Sequence, residues 1–316
     1  MCTAVCYRSN ATYFGRNMDL CRGYGESVVI TPRSYRINMR CEKPLMSHYA
    51  MVGMATVIDE FPLYYEATNE KGVSMAGLNF PENAAYYHLE EGKSNVTPFE
   101  LIPWILGQCS CISEAQTLIE KTNLVNISFS EHLPLSPLHW MISDKKRSIV
   151  VEPLRDGLKI YDDPFDVLTN NPPFEYHSMN VSNYMGLCTG RVISQFKESL
   201  PMKNYSLGLG ALGLPGDYSS ASRFVRALFV KENSVLEHNE RSSVNQFFHI
   251  LSSVAMPKGC VRSEEGFEYT QYSSCCNADA GIYYYVTYDD PKIRAVNMHE
   301  VDLERSHLFT YGVKGL

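Results

Sequence analysis

Strand-like segments come in neighbouring groups along this chain, with helix signals in pairs between the groups. Residues 3–16 mix strand formers with a turn at Ser9-Asn10. Residues 26–32, 49–58 and 72–80 are rich in Val, Ile, Met and Tyr and bounded by Gly, Pro or Asn, so they read as strands. The capping pattern Thr97-Pro98-Phe99-Glu100 predicts a helix running toward Gly107, shortened or kinked by Pro103. Ser113-Glu114-Ala115-Gln116 predicts a second helix, to about Thr122. Strands resume at 138–143, 148–153, 158–161 and 167–169. A further helix pair is expected over 220–233, where Phe224, Val225, Leu228 and Phe229 fall at helical spacing, and over 243–256, from Ser243-x-x-Gln246 to the stop at Pro257. Residues 269–275, 281–288 and 293–298 return to strand. Grouped strands separated by helix pairs indicate α+β layers, because an alternating βαβ sheet would interleave them one by one. At 316 residues the chain fits two domains or one large layered domain, and no repeat, charge block or linker divides it.

Charge and composition narrow the function classes. Lys plus Arg number 28 against 35 Asp plus Glu, a net charge of −7, which argues against a polyanion-binding surface and excludes nucleic acid as an expected partner. No apolar run is long enough to span a bilayer. The opening Met1-Cys2-Thr3-Ala4-Val5-Cys6-Tyr7-Arg8 lacks a basic segment followed by an apolar one, so no secretory signal is expected. On that expectation the protein is cytoplasmic. The sequons at Asn10, Asn95, Asn126, Asn180 and Asn204 are then chance, and the ten cysteines are reduced thiols.

Several motifs carry no chemistry on closer reading. Gly208-Leu209-Gly210-Ala211-Leu212-Gly213 matches a dinucleotide fingerprint in letters, but a poor strand precedes it and the turn Leu214-Pro215-Gly216-Asp217 follows it. Cys109-Ser110-Cys111 and Cys275-Cys276 lack partners at metal-ligand spacing, and His132 and His139 flank two prolines. No metal or cofactor is expected. Tyr283-Tyr284-Tyr285 reads as strand, since no Lys or Arg interleaves it.

Cys2 is different because of its position. Removal of Met1 would put an α-amine and a thiol on one residue. The amine titrates near ~7.7–8.0 and the thiol near ~8.5, so the residue carries its own general base. Phe14-Gly15-Arg16-Asn17-Met18-Asp19 follows the first turn. A guanidinium beside sulfur favours the thiolate, and a carboxylate beside an α-ammonium orients it. The same spacing also suits a surface Arg16–Asp19 ion pair, and any small residue can follow an initiator methionine.

Taken together, six groups of residues resemble the choloylglycine hydrolase family, which contains bile salt hydrolases and penicillin V acylases. They are Met1-Cys2-Thr3-Ala4; Phe14-Gly15-Arg16-Asn17-Met18-Asp19; Asn69-Glu70-Lys71-Gly72 with Ala76-Gly77-Leu78-Asn79-Phe80; Leu138-His139-Trp140-Met141-Ile142-Ser143-Asp144; Val167-Leu168-Thr169-Asn170; and Leu214-Pro215-Gly216-Asp217 with Ser222-Arg223-Phe224. They run in order along nearly the whole chain. The resemblance implies a four-layer αββα sandwich of the N-terminal nucleophile hydrolases, one domain over residues 2–316 once Met1 is removed. It implies Cys2 as nucleophile, Arg16 in contact with it, and Asp19 holding the α-amine. It also implies Asn170 and the backbone N–H of Asn79 as oxyanion donors, and Arg223 as a buried arginine of the site. On the residues alone, Asn170-Asn171-Pro172-Pro173 is equally a turn, Asn79 a strand end and Arg223 a helix-surface charge.

Asparagine at position 79 resembles the bile salt hydrolases, whereas penicillin acylases commonly carry tyrosine there. The implied substrates are bile salts conjugated to glycine or taurine, with penicillin V or another acyl amide as the alternative. Ser206-Leu207-Gly208 departs from the more polar pattern of some members and leaves the choice between glycine and taurine open. Met18, Leu20, Tyr24, Phe61, Tyr65, Phe129 and Leu138 lie in segments matching the family's substrate loops, though each is equally plain core. The resemblance further implies a homotetramer.

Overall fold

The structure, a computed structural model, describes residues 1–194, 196–197 and 199–313. Its strands are β1 (Cys2–Arg8), β2 (Thr12–Leu20), β3 (Ser27–Thr31), β4 (Met51–Ile58), β5 (Phe61–Asn69), β6 (Ser74–Asn79), β7 (Ser94–Val96), β8 (Thr122–Leu124), β9 (Leu138–Ser143), β10 (Ser148–Leu154), β11 (Gly157–Asp163), β12 (Val167–Leu168), β13 (Val261–Ser263), β14 (Gly266–Asn277), β15 (Ile282–Thr287), β16 (Arg294–Asn297) and β17 (Phe309–Gly312). Its helices are α1 (Leu101–Leu106), α2 (Ile112–Glu120), α3 (Phe174–Val181), α4 (Ser220–Glu232) and α5 (Glu240–Ser252).

β1 and β2 are buried almost end to end, on both faces. Strands of that kind must be covered on both sides, and the architecture supplies two covers. One antiparallel sheet runs β12-β1-β2-β14-β15-β16, with β13 paired to β14; a second runs β11-β10-β9-β6-β5-β4-β3-β17. The sheets face each other across one core, and α4 and α5 cover the outer face of the first with Phe224, Ala227, Phe247, Ile250 and Leu251. On the outer face of the second sheet, Leu101, Ile105, Ile112 and Ile119 of α1 and α2 pack against Val29, Met75 and Trp140. The result is the αββα layering that the family resemblance implies, and it agrees with the α+β layers expected from the grouped strands.

Local expectations differ from the structure in instructive places. The Thr97 box forms, with Glu100 Oε2 accepting from Thr97 N–H at 3.0 Å, but it opens a short 3-10 turn that leads into the six-residue α1. α2 begins at Ile112, before Ser113, because the remote Asp144 carboxylate accepts the Ile112 N–H at 3.0 Å. Thr122 belongs to β8. α5 starts at Glu240 under an Asn239 cap and ends at Ser252, earlier at both ends than the Ser243 pattern suggested. β5 was not evident because its turn, Asp59-Glu60 with φ of 49° and 62°, lacks the Asn-Gly or Asp-Gly signature. α3 follows Pro173 and is only eight residues long. Residues 208–213 form a loop with a 3-10 turn at Leu209–Ala211, and no described strand leads into it. Among the described residues no helix is long and apolar enough to cross a membrane.

Gly15 shows how tightly the central strands are set. A Cβ there would lie 1.9 Å from the Ser274 carbonyl oxygen on β14. Gly15→Ala is therefore expected to lower stability by about 1–3 kcal/mol or more through forced separation of β2 and β14, read as a reduced urea midpoint. An unchanged midpoint would show that the two strands give way freely.

Candidate active site

The register of β1 on β2 sets Cys2 opposite Met18 and Ala4 opposite Arg16. Side chains opposite each other share a face, so the Cys2 thiol, Met18 and Arg16 all point toward the second sheet. The thiol is buried, 3.9 Å from the Met18 sulfur. Cys2 N–H, here a peptide nitrogen behind Met1, donates to Asn170 Oδ1 at 2.8 Å. The Met1 ammonium donates to the Asp19 carbonyl at 2.6 Å and pairs with Glu268 at 2.5 Å.

Arg16 and Asp19 are both fully buried, so they are not a surface ion pair. Arg16 reaches across to the second sheet, where Nη1 donates to the carbonyls of Gly77 at 2.6 Å and Tyr65 at 3.1 Å. Its Nε and Nη2 have no hydrogen-bond partner among the described residues. Burial opposes the charge of this guanidinium, yet its neighbours, the Cys2 thiol foremost, hold its pKa above the ordinary value. Asp19 accepts from Thr270 Oγ1 at 2.6 Å through Oδ1, while Oδ2 is buried without a partner. Burial pushes the Asp19 carboxyl up, against the pull of Arg223 and of the chain's ammonium.

Asn170 joins the far elements to residue 2. Its Oδ1 also accepts from Arg223 Nη2 at 2.8 Å, and its Nδ2 donates to the Asn79 carbonyl at 2.7 Å. Arg223, on α4, is fully buried; Nη1 donates to the Cys2 carbonyl and, at 2.7 Å, to Thr3 Oγ1. The helix-surface reading of Arg223 therefore fails. Burial lowers its pKa, with Asp19 and then Cys2 acting to raise it.

Sequence reasoning missed the groups that brace this segment. His139 spans Glu152 Oε1 at 3.0 Å and the Thr169 carbonyl at 2.8 Å, stacked on Phe80. Its imidazole was passed over as a ligand candidate, and nothing local signals the bracing. His177 on α3 bonds the Asn170 carbonyl through Nε2 at 2.9 Å, and Ser220 Oγ accepts from Asn170 N–H at 2.8 Å.

The seven apolar candidates separate. Met18 touches the thiol, and Leu20 and Tyr65 pack on the same intersheet core. Phe61 and Leu138 pack instead against the core under α1 and α2, and Phe61 joins Phe129 and Phe99 in an aromatic cluster. Phe61, Tyr65 and Leu138 stand on strands, not loops. Tyr24 is largely exposed, with Arg22 over its ring.

The chain is similar along nearly its whole length to known proteins. The family model for linear amide C–N hydrolases, choloylglycine hydrolase family, matches residues 2–311. A bile salt hydrolase/transferase of Lactiplantibacillus plantarum is 50% identical over 99% of this chain and 97% of its own. A crystal structure of a conjugated bile acid hydrolase variant from Clostridium perfringens superposes with a TM-score of 0.91 at 35% identity, covering 99% of this chain and 97% of the other. A penicillin V acylase from Agrobacterium tumefaciens shares the fold, with a TM-score of 0.76 at 19% identity over 98% of this chain and 90% of its own.

His177 gives the site a pH signature. Burial pushes its pKa from 6.5 down to about 4. As pH falls below the ordinary value the unfolded imidazole takes a proton that the folded one refuses. The neutral ring's contribution is therefore intact at neutral pH and lost progressively toward pH 4, by up to about 3 kcal/mol. His177→Gln should flatten the fall in urea midpoint between pH 7 and pH 4.5 relative to the unaltered chain. Parallel slopes in the two proteins would contradict a neutral buried His177.

Proposed function

The chain belongs to the choloylglycine hydrolase family, and on that premise we propose that it is a bile salt hydrolase with Cys2 as its N-terminal nucleophile. The observation that carries the reading is the convergence on residue 2. Its thiol faces a buried guanidinium with unpartnered N–H groups, and its nitrogen rests on Asn170. Removal of Met1 makes Cys2 the first residue of a single domain. The freed α-ammonium then stands where the Cys2 peptide N–H now meets Asn170 Oδ1, and Asp19 Oδ2 offers it an unused acceptor.

The chemistry follows from these groups. Arg16 favours the thiolate, which attacks the carbonyl carbon of the amide that links the bile acid to glycine or taurine. The oxyanion forms at Asn79 and Asn170. Asn170 Nδ2 carries two hydrogens, so one can hold the Asn79 carbonyl while the other meets the oxyanion. The α-ammonium gives its proton to the leaving nitrogen, the C–N bond breaks, and a thioester remains. Water, deprotonated by the same amine, cleaves the thioester and restores the thiol. Arg223 fixes the Cys2 carbonyl and Asn170 together, so attack and oxyanion capture keep one geometry. Met18, Leu20 and Tyr65 supply the apolar wall nearest the thiol for the steroid, whose burial is worth ~25 cal/mol per Å² before binding costs.

We place the enzyme in the cytoplasm on its ten free thiols. Between α3 and α4 the exposed Ile193, Phe196, Leu200, Met202, Tyr205 and Leu207 support assembly into the homotetramer.

Cys2→Ala should abolish release of glycine from glycocholate. Cys6→Ala should keep most of it, because burial pushes the Cys6 thiol up to about 12. Equal activity of the two variants would remove Cys2 from the mechanism. Asn170→Ala should cost about 10²–10³ in kcat, the effect of one lost oxyanion donor. Parallel assays on glycocholate, taurocholate and penicillin V should favour the bile salts; preference for penicillin V would reassign the substrate. Sedimentation equilibrium should give four chains of 35.8 kDa, and Phe196→Asp with Leu207→Asp should dissociate them; a monomer in the unaltered protein would overturn the assembly.

A further inference from the structure

Arg16 has a second charged neighbour that no step above uses. Glu66 on β5 is buried between the sheets, its Oε2 3.8 Å from Arg16 Nη1. Tyr272 Oη donates to Oε2 at 2.9 Å from β14, and Tyr283 Oη donates to Oε1 at 2.5 Å from β15. Both carboxylate oxygens thus accept from phenols, an arrangement that favours the ionised form against the burial that opposes it. The guanidinium therefore stands between two anionic candidates, Glu66 on one side and the Cys2 thiol on the other.

We propose that Glu66 is a positioning residue for the nucleophile: by balancing Arg16 it sets the pH at which the Cys2 thiol ionises. The inference rests on Cys2 being the nucleophile. Its logic is electrostatic. A buried cation with no counter-charge would drive the thiol to ionise at low pH. A thiolate of very low pKa is a poorer nucleophile, and attack is fastest when the pKa lies near the working pH. Glu66 takes up part of the Arg16 charge and leaves Nε and Nη2 free. The other groups facing this centre are Asp19 on β2, Tyr65 on β5, Arg223 on α4, Glu268, Tyr272 and Cys276 on β14, Tyr283 on β15 and the α-ammonium of residue 2, with His177 of α3 beyond Arg223. Burial raises the Glu66 carboxyl, while Arg16, Tyr283 and Tyr272 act in the opposite direction. Both phenols stay far above their ordinary value, so they serve as neutral donors.

The test is the pH profile of Cys2 alkylation by iodoacetamide in the full-length, Met1-processed enzyme. Modification is located by peptide mass spectrometry and compared with the acid limb of kcat/KM on glycocholate. Glu66→Gln should move both midpoints down by about half a unit or more. Glu66→Asp, which keeps the charge, should bring them back toward the unaltered enzyme. If Glu66→Gln does not fold, Glu66→Met supplies a second neutral side chain of similar length. A folded neutral variant with an unshifted or raised midpoint would overturn the proposal, even if alkylation slowed equally at every pH. Failure of the underlying reading looks different: in the unaltered enzyme, alkylation of Cys2 would leave turnover intact.

Discussion

The pairing of β1 with β2 is the constraint from which the site hangs. It runs through seven cross-strand pairs from Cys2–Met18 to Arg8–Thr12, with Gly15 pressed against the β14 backbone. A slip of one residue would set Cys2 opposite Asn17 or Asp19 and put it and Arg16 on opposite faces, unless β2 itself turned over. Asn17 argues against such a slip, because its Nδ2 is committed to the Leu251 carbonyl of α5 at 2.9 Å. The register thus sorts two functions onto two faces of one hairpin. The thiol and its guanidinium lie between the sheets, and the Cys2 carbonyl is met by Arg223 from α4.

Burial on both faces makes charge the second organising quantity. Arg16, Arg223, Asp19 and Glu66 all lie out of contact with water. A buried charge without a partner is costly, so each is tied to carbonyls, hydroxyls or an opposite charge. Of the nine buried side-chain polar atoms without a partner among the described residues, three belong to Arg16 and Asp19. Arg16 Nε and Nη2 and Asp19 Oδ2 cluster around residue 2. These three open atoms are what the proposed thiolate and α-ammonium of residue 2 would use.

The layered architecture was legible because grouped strands and helix pairs survive errors of a few residues at each boundary. Cys2, Arg16 and Asp19 were visible as one hairpin group, but their spacing equally suited a surface ion pair, which only their burial excludes. Asn79, Asn170 and Arg223 were not legible from spacing, since their meeting depends on two sheets and α4 closing on one another; only the family resemblance joined them. Glu66 gave no signal at all. In an isolated strand it reads as the polar, outward residue, and only the second sheet makes that face interior. The Asp144 cap of α2 and the His139 brace of Thr169 are contacts of the same long-range kind, 32 and 30 residues apart. Among the apolar candidates, position in the chain could not tell which of the two cores a side chain would join. Met18, Leu20 and Tyr65 went to one, Phe61 and Leu138 to the other.

On the proposed mechanism residue 2, freed of Met1, forms the covalent intermediate. Acid quenching of the enzyme during turnover of glycocholate, followed by mass spectrometry of the N-terminal peptide, tests it most directly. A cholyl adduct is expected on a peptide that begins at Cys2. An adduct on any other cysteine, or one on a peptide that still carries Met1, would contradict it.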